Sequence, residues 1–226
     1  MTLLFCFAHP DDESFSGAGT AMKHAAAGGR IVLVTATLGQ RGKCGDPPVC
    51  RPEDLEATRE RELREAAGII GFDDLHLLGY RDRELADAPP ADVRAALVAI
   101  IRRERPDAVF TFDPNGFNAH PDHVAISRFT TDAIAAAADR RWYPGSEPYA
   151  VPRLLWTPPF APWEMPNLGP IEEQPGADVV VDVSAWRERR IAALRAHRTQ
   201  HLSIDRCFFS RPELNHILDT EVWRRG

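Results

Sequence analysis

The sequence predicts a single α/β domain with a three-layer, Rossmann-like fold and a mostly parallel sheet. Short apolar runs alternate with longer helical patterns from the first residues onward. Strands separated by helices of this length form parallel βαβ units, with helices packed on the faces of the sheet. The length of 226 residues suits one α/β domain with a sizeable core.

The first part of the chain carries the clearest patterns. Residues 3–8 are entirely apolar, as expected of a strand covered on both faces, and β-branched residues dominate 30–37. Two further strands are predicted at 74–78 and 108–112. Glycines follow the first two predicted helices and a proline follows the third, which are usual stop signals. The four helices are predicted over 16–27, 53–70, 91–104 and 121–138.

The second part is less regular. Strands are predicted at 153–156 and 178–183, on either side of a proline-rich segment at 158–175. Ser184 can cap a long helix that runs to about residue 200. We therefore expect one domain over 1–226, in which 1–140 form the core βαβ units and 141–226 add C-terminal strands, a long helix and a tail.

Charge and composition exclude several classes of protein. The chain has 27 Lys and Arg against 33 Asp and Glu, and its net charge of −6 argues against a nucleic-acid partner. No apolar run approaches the ~20 residues that a membrane span needs. The first residues lack the basic region and the cleavage site of a signal peptide. Four cysteines are too few for a disulfide scaffold, so we expect a cytoplasmic protein without a membrane partner.

Two polar clusters follow predicted strands. His9, Asp11 and Asp12 follow the first strand, and His120 and His123 follow the fourth. In an open parallel sheet, ligands bind beyond the carboxyl ends of the strands. Catalytic zinc takes three His, Asp, Glu or Cys ligands and keeps one position for water. The clusters therefore predict a metal site, and the structural alternative is that each is only a turn.

The sequence of the second cluster predicts where its two histidines lie on a helix. Pro121 suits the first position of a helix, which makes His120 the cap and places His123 one turn into the helix. Residues three apart share a helix face, so the two imidazoles can point at one spot. The positive helix N-terminus favours neutral His, the form that binds metal.

A nucleotide-binding site is not supported. Gly17 and Gly19 begin a G-x-G pattern, but the third glycine position holds Met22 and the glycines lie within the predicted helix. The chain also lacks a Gly-x-Ser-x-Gly elbow and a Gly-Lys-Ser/Thr phosphate loop.

Residues 38–52 hold too many glycines and prolines for regular structure. A loop of this length in a compact domain is usually functional, and we expect it to lie over the site and to contribute to substrate selection. Cys44 and Cys50 bracket a short turn within it, and the sequence leaves open whether they form a disulfide. Cys6 and Cys207 are expected to be buried thiols.

The motifs AHPDDE at 8–13 and HPDH at 120–123 together resemble the PIG-L/LmbE-like family of zinc-dependent N-acetylglucosaminyl deacetylases. The resemblance extends over most of the chain and leaves 140–177 and the residues after 201 unmatched. Within the family, the segments TLGQ and LGYRD look most like deacetylases of bacillithiol biosynthesis.

The resemblance implies a zinc ion bound by His9, Asp12 and His123. The sequence leaves open whether Fe²⁺ takes the place of zinc. It implies that Asp11 is the general base that deprotonates the metal-bound water. It also implies that His120 is the acid that protonates the leaving amine. These roles agree with metal-assisted amide hydrolysis, in which the ion acidifies water and polarises the carbonyl.

The resemblance further implies that Asp122 orients His120 and that Arg59 and Asp82 contact the sugar. For Arg59, an ion pair with Glu62 on the helix surface is the structural alternative. Asn118 stands where some relatives have a Tyr that holds the tetrahedral intermediate, and an amide can still donate a hydrogen bond there.

Three other polar residues are expected to support the site from behind. Glu13 is expected to bond backbone amides in its turn. His197 and Gln200 share a helix face, and we expect them to pack behind the site.

The leading functional hypothesis is a hydrolase that removes acetyl from an N-acetylglucosaminyl conjugate, such as a malate or inositol glycoside. The alternatives are a metal-dependent amidase for a thiol conjugate or another non-sugar amide, and a non-catalytic sugar- or metal-binding module. A pure binding module needs neither Asp11 nor His120, so their presence favours an enzyme. The expected partner is a small-molecule substrate, and the sequence leaves the oligomeric state open, a homo-oligomer included.

Overall fold

The computed structural model describes all 226 residues, and a seven-stranded sheet forms its centre. The strands are β1 (Thr2–Phe7), β2 (Arg30–Thr37), β3 (Asp74–Tyr80), β4 (Ala108–Thr111), β5 (Leu154–Trp156), β6 (Val179–Asp182) and β7 (Thr220–Arg225). Their order is β3-β2-β1-β4-β5-β7-β6. The first five pair in parallel, and β7 is antiparallel to both β5 and β6. The predicted α/β fold with a mostly parallel sheet is confirmed.

Helices cover the sheet in two groups. They are α1 (Asp12–Ser16), α2 (Ala18–Ala26), α3 (Leu55–Ile70), α4 (Pro90–Glu104), α5 (Gly116–Ala119), α6 (Pro121–Ala138), α7 (Arg187–Ala196), α8 (His201–Ile204) and α9 (Leu214–Asp219). Helices α2, α3 and α7 pack against one another, and α4 packs against α6. None of the helices combines the length and the apolar character that crossing a membrane requires.

Two predicted helices differ from those observed. The helix expected over 16–27 is two helices, α1 and α2, and it begins four residues earlier than expected. Gly17 separates them at a point where a Cβ atom would lie 3.1 Å from the ring of Phe5, so the chain bends close against β1. The helix expected over 184–200 is α7 between two 3₁₀ turns, because the backbone of His197 leaves the helical conformation (φ −83°, ψ 64°).

The C-terminal tail contains a strand that the sequence analysis did not predict. Strand β7 inserts between β5 and β6, and it brings Trp223 fully into the core. The indole lies edge-on to the ring of Phe110, and its N–H donates to Thr20 Oγ at 3.0 Å. The tail therefore completes the sheet.

The strand order fixes where the two polar clusters meet. Strands β1 and β4 are neighbours and pair in parallel, with Phe5 beside Phe110. The segments that follow them must therefore leave the same edge of the sheet. His9 and Asp12 follow β1, and the loop after β4 leads through α5 into α6, which carries His123.

Candidate metal centre and active site

A cavity of about 390 Å³ opens at the carboxyl edge of the sheet. It contains residues from both clusters, including His9, Asp12 and His123, each less than a tenth exposed. The predicted site residues Asp11, His120, Arg59, Asp82 and Asn118 also line it. Asp122 lies behind this wall and is fully buried.

His9 has one ring nitrogen committed to carboxylates and the other turned inward. Its Nε2 lies 3.1 Å from Asp122 Oδ2 and 3.3 Å from Asp82 Oδ1. Its Nδ1 lies 3.2 Å from Nε2 of His123. A carboxylate on Nε2–H fixes the tautomer that presents the Nδ1 lone pair to a metal.

His123 is held in the complementary way. Its Nδ1 donates to the backbone carbonyl of Gly116 at 3.2 Å, and its ring stacks on Phe112 at 4.0 Å between centroids. This contact leaves Nε2 as the nitrogen that faces His9. In their neutral forms the two imidazoles thus direct lone pairs at one another, an arrangement that only a cation or a proton between them can stabilise.

Asp12 supplies a third donor. Its Oδ2 accepts backbone N–H groups from Ala8 and His9, while Oδ1 lies 3.3 Å from His123 Nε2. Donors at about 2.0–2.1 Å from a tetrahedral zinc ion lie roughly 3.3 Å from one another. The separation of 3.2 Å between the two histidine nitrogens and that of 3.3 Å between Asp12 Oδ1 and His123 Nε2 match this spacing. The Asp12 oxygen nearest to His9 Nδ1 is Oδ2, at 3.5 Å, so the three side chains are close enough to hold a zinc ion.

The charged groups around His9 and Asp12 also favour a cation at this point. Burial alone would lower the pKa of His9, but hydrogen bonds to Asp12, Asp122 and Asp82 raise it well above its ordinary value. Burial alone would raise the pKa of Asp12, but His123 and His9 hold it well below its ordinary value. The carboxylates around His9 therefore stabilise positive charge at this point.

His120 is a competing third ligand. The ring nitrogens of His9, His120 and His123 lie within 4.8 Å of one another. However, His120 Nδ1 caps α6 by accepting the N–H of Asp122 at 3.2 Å, and its ring is only half-buried. Burial and the neighbouring histidines lower the pKa of His120. The two Asp12 oxygens lie 3.3 Å from His123 Nε2 and 3.5 Å from His9 Nδ1, so Asp12 and His120 are both within reach of the inner nitrogens.

Asp11 lies beside His9, Asp12 and His123, but its side chain forms no hydrogen bond or ion pair with theirs. Its side chain is 16% exposed, and burial raises the pKa of Asp11 to about 6 although Arg59 acts in the opposite direction. A carboxylate with such a pKa is suited to accept a proton near neutral pH.

Arg59 lies closer to the expected base than the sequence indicated. Its Nη2 is 3.3 Å from Asp11 Oδ2, and its guanidinium donates to the carbonyl oxygens of Pro10 and Gly39. Gly39 has a φ of +61°, and a Cβ there would overlap the guanidinium, which explains why a glycine is needed. Arg59 is only 4% exposed, so the surface ion pair with Glu62 is not formed.

The contact expected between the Asp122 carboxylate and His120 is absent. The carboxylate instead bonds Nε2 of His9 and the backbone N–H groups of Arg83 and Leu85, and only the backbone N–H of Asp122 contacts His120. The sequence could not reveal this difference, because it depends on how α6 is rotated relative to β1. The Asp122 carboxylate thus contacts His9, a predicted metal ligand, rather than His120, the predicted acid.

Asp82 and Asn118 both line the cavity. Asp82 Oδ2 accepts the N–H of Arg41 at 2.9 Å, and its contacts with His9 and Arg41 lower its pKa to about 2 although burial alone would raise it. Asn118 is exposed, and its Oδ1 accepts the N–H of His120 at 3.1 Å. Its amide nitrogen remains available as a donor.

The loop at 38–52 enters the cavity wall only at its beginning. Arg41 and Gly42 line the cavity, whereas the residues from 43 to 51 do not. Cys44 and Cys50 are free thiols. The expected contribution of the loop to substrate selection therefore rests on Arg41 and Gly42.

Several wall residues come from segments in which the sequence analysis found no site. Trp163 lies in the proline-rich segment, and Arg206 and Cys207 lie in the tail. Cys207 is buried as expected, but it also lines the cavity. No motif marks these residues, since irregular segments bring them to the site.

A family model described as PIG-L, GlcNAc-PI de-N-acetylase, matches residues 4–134, a range that contains both clusters. A 1D-myo-inositol 2-acetamido-2-deoxy-alpha-D-glucopyranoside deacetylase of Saccharomonospora viridis is 35% identical over 234 residues, which cover 91% of this chain and 87% of that protein. A probable N-acetyl-alpha-D-glucosaminyl L-malate deacetylase 2 of Bacillus anthracis is 32% identical over 201 residues, covering 88% and 80%.

Among solved structures, the N,N'-diacetylchitobiose deacetylase of Pyrococcus horikoshii has a similar fold. The TM-score is 0.77 at 24% identity, and the match covers 100% of this chain and 83% of that one. At this level of identity the likeness shows a shared fold.

Proposed function

This chain belongs to the PIG-L family and is a deacetylase, a hydrolase of amide bonds, and we propose that it uses zinc to remove acetyl from an N-acetylglucosaminyl conjugate. The observation that supports this proposal most strongly is the inward-facing set of His9 Nδ1, His123 Nε2 and Asp12 Oδ1. Both named relatives act on N-acetylated glucosamine linked to a small molecule.

Zinc bound by His9, Asp12 and His123 would supply a Lewis acid that acidifies water and polarises the amide carbonyl. Asp11 takes the proton of the attacking water, because it is a carboxylate of raised pKa beside these ligands. His120 is the proposed acid: in its doubly protonated form, in which Nδ1 no longer accepts the Asp122 N–H, it donates a proton through Nε2 to the departing glucosamine nitrogen and returns to the neutral, capping form. To Asn118, which lines the cavity with its amide N–H free, we assign the donation of a hydrogen bond to the developing oxyanion.

Asp122 is predicted to strengthen metal binding. We expect Asp122→Ala to weaken zinc affinity by about 10- to 100-fold, because the variant loses the carboxylate that fixes the His9 tautomer. Competition with a chelator measures this affinity. The matched control is Glu221→Gln, which changes a buried carboxylate that binds backbone amides and does not line the cavity. Unchanged zinc affinity in Asp122→Ala would show that Asp122 does not strengthen metal binding.

The aglycone is proposed to be anionic. Arg83 and Arg206 line the cavity, and neither guanidinium forms an ion pair within the chain. Arg41, by contrast, pairs with Glu84. Unpaired guanidinium groups bind carboxylates well, since their donors match carboxylate geometry. A dicarboxylate such as malate fits this wall better than a neutral polyol such as inositol.

Arg206→Ala tests the aglycone. We expect kcat/KM for the N-acetylglucosaminyl malate conjugate to fall about tenfold, since one charge-assisted contact is lost at a partly exposed position. The inositol conjugate is the internal control and should be hydrolysed as by the wild type. An equal loss on both conjugates would show that Arg206 does not recognise the anion.

The proposed function as a whole is tested by metal analysis together with amine release from a panel of amides. The panel includes the malate and inositol conjugates, N-acetylglucosamine and a thiol-linked amide without a sugar. Amine release from the sugar conjugates is expected. Release from the non-sugar amide alone would establish a different amidase, and binding of the conjugates without turnover would establish a binding module.

A further inference from the structure

The backbone of Asp11 has a conformation that is uncommon for any residue other than glycine. Its φ of 115° lies in the region that favours glycine. A residue in such a conformation persists when its surroundings hold it there. The contacts of the Asp11 main chain therefore decide where its carboxylate points.

Glu13 holds the main chain of Asp11. Its Oε2 accepts the Asp11 N–H at 3.0 Å. Its other oxygen, Oε1, accepts the Ser14 hydroxyl at 2.5 Å and lies 2.7 Å from His197 Nε2. Glu13 is 1% exposed, so water does not compete for these contacts.

The side chain of His197 has two hydrogen-bond partners, Glu13 and the adjacent Ser14. It is fully buried, its Nε2 contacts only Glu13 and Ser14, and its Nδ1 has no hydrogen-bond partner. A buried ring nitrogen without a partner is costly, and an apolar side chain would fill the same space without that cost. Burial alone would lower the pKa of His197, but Glu13 raises it, in keeping with the 2.7 Å contact between His197 Nε2 and Glu13 Oε1.

The segment that carries His197 is fixed to α3. Thr199 donates its N–H and its hydroxyl to the buried carboxylate of Glu62, at 3.0 and 2.6 Å. Helix α3 also carries Arg59, which contacts the Asp11 carboxylate. The contacts that hold the main chain of Asp11 and those that hold its side chain thus both lead to α3.

We propose that Glu13 and His197 are positioning residues that orient the Asp11 carboxylate for proton transfer. This inference rests on the proposed role of Asp11 as the base. The buried contact between Glu13 and His197 keeps Oε2 in place, Oε2 keeps the Asp11 N–H in place, and the Asp11 carboxylate is thereby aimed into the cavity. Neither residue lines the cavity, and neither side chain contacts the inward-facing atoms of His9, Asp12 and His123.

The test compares three substitutions of His197 in the zinc-loaded protein. His197→Leu removes the donor to Glu13, and His197→Asn places its amide too far back to reach. His197→Gln places an amide N–H near the position of Nε2. We expect kcat to fall about 10- to 100-fold in the Leu and Asn variants, because small misplacements of a reacting group cost this much. The Gln variant should recover most of the loss.

Two further readouts separate positioning from general support of the fold. KM and zinc content should stay at wild-type values in all three variants. Glu221→Gln is the control, since Glu221 is also a buried carboxylate that binds backbone amides and faces a buried cation, Arg190. It should lower the melting temperature without changing kcat.

A folded, zinc-loaded His197→Leu protein with wild-type kcat would overturn the inference. If the Leu variant does not fold, equal kcat values in the Asn and Gln variants would overturn it as well. Asp11→Asn distinguishes this failure from that of the proposed function. If Asp11→Asn is inactive while His197→Leu is fully active, only the positioning role is lost. If Asp11→Asn keeps full activity, the proposed mechanism itself is wrong.

Discussion

Replacing Asp11 with Asn is expected to lower kcat by about 10²- to 10⁴-fold, the usual contribution of a general base. The amide cannot accept the proton of the attacking water, but it keeps the size of the side chain. Bound zinc should remain at the wild-type level, because Asp11 contacts Arg59 and stands outside the set of inward-facing donors. Initial rates of amine release and metal analysis of the same preparation check both parts.

The adjacent residue provides the matched control. Asp12→Ala should lose zinc together with activity, since Asp12 Oδ1 is one of the donors. Two neighbouring aspartates are thus expected to give opposite results in metal analysis. If zinc content falls in step with activity in Asp11→Asn, then Asp11 is a ligand and the assignment of the base is wrong.

His123→Ala is expected to abolish activity by a different route, through loss of the metal. The variant removes one of three protein ligands and also the ring that stacks on Phe112. Zinc should be lost during ordinary dialysis, and no activity should remain at low zinc concentration. Calorimetric titration of zinc into the metal-free protein measures this loss.

His120→Ala is the control for that experiment, because it changes a histidine one helical turn away. It should bind zinc as the wild type does and should lose turnover, since His120 is assigned as the acid. If instead His120→Ala loses zinc while Asp12→Ala retains it, the third ligand is His120 rather than Asp12.

The meeting of the two clusters follows directly from the sequence. Residues 3–8 and 108–112 are recognisable as buried strands, and their carboxyl ends share an edge once both lie in one parallel sheet. His9 and His123 could therefore be placed together without knowledge of the packing. The boundaries of α6 were also predicted correctly, since Pro121 and the pattern that follows define them.

The partners behind the ligands could not be predicted. The sequence pairs Asp122 with His120 because they are neighbours in one motif, but helix rotation directs its carboxylate to His9. The predicted sugar contact of Arg59 likewise omitted its contact with Asp11, which depends on the close approach that Gly39 permits. Such contacts depend on side-chain directions, which periodicity does not specify.

The tail was the least predictable part. Strand β7 has the sequence TEVWRR, in which charged residues surround the apolar pair Val222 and Trp223, and its neighbours in the sheet are nonlocal. The sequence therefore did not indicate that Trp223 completes the core. The contact between Glu13 and His197 joins residues 184 positions apart. The sequence indicated only that each supports the site.

The proposed activity of this chain is the zinc-dependent deacetylation of an N-acetylglucosaminyl conjugate. Its most direct test is a titration of zinc into the metal-free wild-type protein, with free amine and acetate measured on N-acetylglucosaminyl malate at each step. We expect both products in equal amounts, at rates that rise until about one equivalent of zinc per chain is bound. Product release that is independent of zinc, or a zinc-loaded protein that binds the conjugate and releases no amine, would contradict the claim.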